Sequence, residues 1–121
     1  MTATVMLAKQ IDIENITLRF AHVPDNWAFA PRNVTVLLSA DGEHYSDTLQ
    51  VAMPFDPASD EENSPRVVEV RVPVTKGGVA SFKVEVDALS SVPAWHRAKG
   101  LKPWILMDEI EVSERIKENK N

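Results

Sequence analysis

The sequence predicts an all-β protein, an antiparallel sandwich or barrel built from short strands, and three observations carry that expectation. Apolar residues recur at every second position in one segment after another. The intervals between those segments hold Gly, Pro, Asn and Asp, the residues that turn a chain. Only the polar tail SERIKENKN has a helix-like pattern, and it is too short to be a stable helix alone.

Each strand is justified by its own alternation. An opening strand is expected through TATVMLA, Thr2–Ala8. In NITLRF, Ile16, Leu18 and Phe20 share a face; in NVTVLLS, Val34, Val36 and Leu38 do the same. VVEVRV repeats the pattern with Val68, Val70 and Val72. SFKVEVDAL sets Phe82, Val84 and Val86 against Lys83, Glu85 and Asp87, and WILMDEIEV, Trp104–Val112, closes the series. Asp41-Gly42 and Gly77-Gly78 supply turn residues that tolerate positive φ. Two longer irregular segments interrupt the strands: His22–Arg32, which is aromatic, and Met53–Arg66, which is acidic and proline-rich and reads as a solvated excursion. One domain over residues 1–113 is expected, followed by a polar tail over 114–121.

Composition narrows the function. The 121 residues, 44% hydrophobic and 26% charged, suit a single core. A net charge of −5 provides no basic field for phosphate backbones, so nucleic acid is not an expected partner. No run approaches the ~20 apolar residues of a membrane-spanning helix, and none is expected. The absence of cysteine removes disulfides, thiol nucleophiles and Cys-ligated zinc.

Catalytic patterns are missing as well. There is no G-x-S-x-G elbow, no P-loop and no dinucleotide fingerprint. Asp56, Asp60, Glu61 and Glu62 lack the alternating ligand spacing of a calcium loop. Asp108 and Glu109, adjacent on a strand, are expected to point to opposite faces, which denies them the role of a paired acid and base. No catalysis and no cofactor are therefore expected of this chain.

What the loops do contain is aromatic rings beside planar polar groups, the combination that binds sugars: C–H faces stack on an indole while hydroxyls hydrogen-bond at the rim. Two loops have it, AHVPDNW with His22, Asp25, Asn26 and Trp27, and PAWHRAKG with Trp95, His96, Arg97 and Lys99. Trp27, two residues before Phe29, is expected to point with it into the core, and Trp104, heading the apolar WILM, is expected there too. Trp95, between a proline and a His-Arg pair, is the expected exposed indole. The candidate sugar-binding residues are His22, Asp25, Asn26, Trp95, His96 and Arg97.

Two stretches taken together carry a resemblance. DNWAFAPRNVTVLLSADGEHY, through Trp27, Phe29, Pro31, Val34, Ser39, Asp41, Gly42 and Tyr45, and PAWHRAKGLKPWILMDEIEV, through Pro93, His96, Gly100, Trp104, Asp108, Glu109 and Ile110, resemble the coagulation factor type C, or discoidin-like, domain. The likeness is closest to the module appended to bacterial β-N-acetylhexosaminidases, or chitobiases, and runs over roughly residues 2 to 113. It implies a galactose-binding-like jelly-roll sandwich of about eight strands. It also implies a non-catalytic accessory module of a secreted or periplasmic glycoside hydrolase, binding N-acetylhexosamine- or galactose-containing glycan through end loops. The alternative is a module that packs on its own catalytic domain, or on another protein, and binds no sugar. In sugar-binding relatives an arginine and an asparagine precede the S-x-DG strand; here His22 stands near the arginine's place and Asn26 near the asparagine's. Relatives open with a further N-terminal segment holding most ligands of a structural calcium, so the resemblance implies either that Met1 falls inside the domain or that this is a trimmed variant of it, and it leaves Glu109 as the sole calcium candidate.

Overall fold

The computed structural model describes residues 2–115 and is all-β, with seven strands where about eight are expected. They are β1 Thr2–Ile11, β2 Ile13–His22, β3 Asn33–Ser39, β4 Tyr45–Val51, β5 Arg66–Pro73, β6 Val79–Asp87 and β7 Leu106–Glu114. Two antiparallel sheets result, one in the order β1-β6-β3-β4 and the other β5-β2-β7. Only the β3–β4 connection stays within a sheet; every other one crosses to the opposite layer, which winds the chain into a sandwich around its main core.

The alternation read from sequence sets which side chains enter that core. Ile16, Leu18 and Phe20 of β2 meet Val36 and Leu38 of β3, Val68, Val70 and Val72 of β5, and Phe82 and Val84 of β6, all nearly or fully excluded from solvent. Emptying one of the larger positions, as in Phe82→Ala, costs about 3–5 kcal/mol through lost transfer energy and the cavity left behind. The polar partners face outward: Arg19 of β2 lies opposite Glu69 of β5 and Glu109 of β7.

β4 is the strand that periodicity did not single out. Its core-facing set is Tyr45, Asp47, Leu49 and Val51, and the carboxylate among them breaks the apolar pattern. Asp47 lies opposite Leu38 and is neutralised by Lys76 Nζ at 2.7 Å. The opening strand runs three residues past its expected end, to Ile11, after losing register with β6 between Met6 and Ile11. At the other terminus β7 continues to Glu114, so the strand takes the first residue assigned to the tail; positions 116–121 lie outside the described residues.

Strand directions sort the connections by length. The turns at Asp12, Ala40–His44 and Val74–Gly78 lie at one end of the sandwich. The segments 23–32, 52–65 and 88–105 all lie at the other. Every candidate sugar-binding residue is therefore at or next to the long-loop end.

Candidate functional site

The long-loop end is assembled around a small second core. Phe29, Leu89, Val92 and Ala98 are buried together, with Ala58 and Trp95 packed against them. Phe29 is the centre: its ring meets those of His22, Trp95 and His96 edge-on, with centroids 5.8, 6.3 and 6.1 Å away.

Both histidines serve this assembly, not its surface. His22, at the end of β2, is wholly buried. Its Nδ1 accepts the Ala30 N–H at 2.9 Å, which leaves Nε2–H to donate to the Glu62 carbonyl at 2.6 Å. Burial, reinforced by the Arg66 charge, holds its pKa below the ordinary histidine value against the opposing pull of the Glu62 carbonyl and carboxylate. His96 repeats the device: Nδ1 accepts the Ala98 N–H at 2.9 Å and Nε2–H donates to the Pro24 carbonyl at 2.8 Å. Neither ring has a nitrogen left for a ligand. The expectation that His22 and His96 offer hydrogen bonds to a sugar is corrected accordingly; they tie the loops to one another.

The tryptophans exchange the roles expected of them. Trp95 is half-buried, leans on Phe29 and His96, and spends its indole N–H on the Ala58 carbonyl at 2.8 Å. Trp27 and Trp104 are the exposed pair, at 37% and 46% of their surface. They are joined through the backbone: Trp104 N–H donates to the Trp27 carbonyl at 3.1 Å and Phe29 N–H to the Trp104 carbonyl at 3.2 Å. The Trp104 indole N–H reaches the Asn26 carbonyl at 2.8 Å, which lays that ring against the turn Pro24–Asn26.

Local backbone geometry explains both reversals. Trp27 ends the short 3-10 turn in the left-handed region, at φ 63°, and is the sole non-glycine residue with positive φ among those described. That conformation costs about 1–2 kcal/mol for a side chain with a Cβ. It also breaks the extended alternation, so Phe29 goes in while Trp27 goes out. On β7 the agent is a bulge. Ile110 lies opposite Leu18 and Glu109 opposite Arg19, but Phe20 faces Met107, which leaves Asp108 as an extra residue. Counting back by twos from Ile110 would put Trp104 on the core face; the bulge shifts the phase, and Leu106 and Trp104 face solvent.

The same bulge corrects the expectation that Asp108 and Glu109 point to opposite faces. Both reach Arg19, Glu109 at 2.6 Å and Asp108 at 3.9 Å. Glu109 in turn raises the pKa of its neighbour Glu111, by hydrogen bonding and then by repulsion. With Glu109 engaged by Arg19, the residues present do not fit a calcium ion there. Among the described residues no group of three or more His, Asp or Glu side chains is arranged to hold a metal.

Asp25, Asn26 and Arg97 are exposed at the same end of the sandwich: Asp25 and Asn26 on the turn that supports Trp104, Arg97 between the buried His96 and Ala98 in the 88–105 segment. The exposed groups at this end thus include two indoles, an acid and an amide on the turn beneath Trp104, and a guanidinium on the 88–105 segment. The three imidazoles are all engaged elsewhere: those of His22 and His96 in the backbone contacts above, and that of His44 with Asp41 at the opposite end. No described helix is long and apolar enough to cross a membrane. The sequence matches no family model and no curated protein.

Proposed function

We propose that this chain is a non-catalytic carbohydrate-binding module of the kind appended to bacterial β-N-acetylhexosaminidases, working in the periplasm or outside the cell beside a separate catalytic domain. It would hold N-acetylhexosamine- or galactose-containing glycan at its long-loop end. One observation carries the reading: two exposed tryptophans lie side by side along the backbone there, and one of them keeps a strained left-handed conformation without the reward of full burial. An indole face stacks on the C–H face of a pyranose, and Asp25, Asn26 and Arg97 supply acceptors and donors for the hydroxyls. Multivalency with the catalytic domain would make even weak single-site binding useful.

The experiment is a titration of the chain with N-acetylglucosamine, chitobiose, galactose and N-acetylgalactosamine, followed by tryptophan fluorescence and by amide chemical shifts. Saturable changes at Asn26, Trp27 and Trp104, abolished by Trp104→Ala in a folded protein, support the reading. A flat response to all four sugars sinks it.

A second reading has its own observation. Val67, Ala21 and Leu106 form an apolar row across the outer face of the smaller sheet, two of them well exposed, and the row runs toward Trp104. Such a strip suits packing on the catalytic domain or another protein. Under that reading Trp104 becomes protected from solvent on adding the catalytic domain, with no sugar present.

A further inference from the structure

Four strands have a neighbour on one side only: β1 and β4 in the larger sheet, β5 and β7 in the smaller. An open edge presents unpaired N–H and C=O groups and templates pairing with another chain unless charge, proline or irregularity blocks it. Three of these edges are blocked. β4 carries Asp47 on its core-facing side, held there by Lys76 beside a concavity of about 240 Å³. β5 carries Arg66, Glu69 and Arg71 and ends on Pro73. β7 is bulged at Asp108 and lined with carboxylates.

β1 has none of these devices where it is regular. From Thr2 opposite Glu85 to Met6 opposite Ser81 it keeps continuous register with β6 and contains neither charge nor proline. Its one charged residue, Lys9, lies beyond that stretch, where the register with β6 is lost.

We propose that this edge pairs with β1 of a second copy, antiparallel about a twofold axis at Thr4, joining two four-stranded sheets into one. The sequence of the edge selects that occupant. The twofold sets Thr4 against Thr4, Ala3 against Val5 and Thr2 against Met6, so no charge meets its own image and small residues meet larger ones. On the inner face, Ala3 and Val5 of each copy extend the cover over Val5 and Leu7, which are only partly buried at the margin of the core. On the outer face, Met6, 65% exposed, lies over Thr2 of the other copy. Because the two β1 strands run in opposite directions, the two long-loop ends point away from each other. If those ends hold glycan as proposed above, the dimer bridges two glycans; the pairing itself does not rest on that reading.

Sedimentation equilibrium of the full chain, from micromolar to millimolar, tests the pairing. The apparent mass is expected to rise toward twice 13.5 kDa. Thr4→Lys, on an exposed outward position that leaves the core intact, sets two ammonium groups face to face and weakens association by at least about tenfold. Thr4→Cys, in a chain without other cysteines, forms a covalent dimer under mild oxidation, whereas Thr48→Cys on the β4 edge does not. A monomer at every concentration overturns the proposal. So does a dimer indifferent to Thr4→Lys, or equal cross-linking through Thr48→Cys.

Discussion

At one end of the sandwich the chain reverses within a few residues, held by short polar contacts within a turn or between adjacent turns; at the other, three long segments are held by aromatic side chains reaching across from one segment to the next. Asp41 shows the first method: its carboxylate accepts the N–H groups of Glu43 and His44, the Ser39 hydroxyl and the His44 ring, all within three residues. Gly42, at φ 83°, completes that turn. Asp12 binds the Gly78 N–H at 2.8 Å and joins two turns across the sheets. The second method is that of His22, Trp95, His96 and Trp104, whose ring nitrogens satisfy the carbonyls of Glu62, Ala58, Pro24 and Asn26. A long segment has many backbone polar groups and few local partners for them, so the ordering must come from elsewhere in the chain. The tight end is accordingly a scaffold, and the long end has room to vary the surface it presents.

The sharpest way to break that contrast is Phe29→Ala, which removes the ring on which His22, Trp95 and His96 converge. It should cost about 3–5 kcal/mol in urea unfolding, with the loss of amide protection concentrated in residues 23–32, 52–65 and 88–105. Equal loss of protection at the Ala40–His44 turn would mean that the two ends are not separately held.

His22→Leu comes next. It strands the Ala30 N–H and the Glu62 carbonyl and should cost about 2–4 kcal/mol. The same residue gives the long end a pH dependence. Since the folded pKa lies below the ordinary 6.5, the unfolded chain binds more protons in the interval between them. The stability that His22 contributes is thus complete above pH 6.5 and lost as the pH falls toward its folded pKa. Unfolding curves in this range should slope for the parent protein and flatten for His22→Leu; parallel slopes would refute the assignment.

A smaller effect belongs to the turn end. Gly78 has φ 65°, and Gly78→Ala should cost roughly 1 kcal/mol, without changing amide protection in the long loops. Smallest of all is Trp27→Gly: relief of the left-handed strain offsets much of the lost contact, so stability should stay within about 1 kcal/mol of the parent. Trp95→Ala, by contrast, should lose about 3 kcal/mol or more. Thermal unfolding of the two variants side by side decides whether Trp27 is held for the fold or for a ligand.

Much of the architecture was legible in the sequence because a half-buried strand leaves its mark at every second residue. β2, β3, β5 and β6 bury the residues their alternation named. β4 was illegible because Asp47, paired by Lys76 from the β5–β6 connection, stands where the pattern wants an apolar side chain. Of the candidate site residues, Asp25, Asn26 and Arg97 are exposed as a ligand site requires. His22, His96 and Trp95 were misjudged because residue type says only that a side chain can hydrogen-bond, and three buried or half-buried rings found backbone partners more than 30 residues away.

Read alone, the order of residues already establishes an all-β chain with one apolar face per strand, turns at Asp41-Gly42 and Gly77-Gly78, and aromatic, polar loops between strands. Those features are written in local periodicity and in single-residue φ preferences, which require no knowledge of partners. Which tryptophans face solvent depends on the folded backbone. A left-handed residue at Trp27 and one extra residue at Asp108 each shift a period of two by one step, and one step is enough to carry a side chain from the core to the surface.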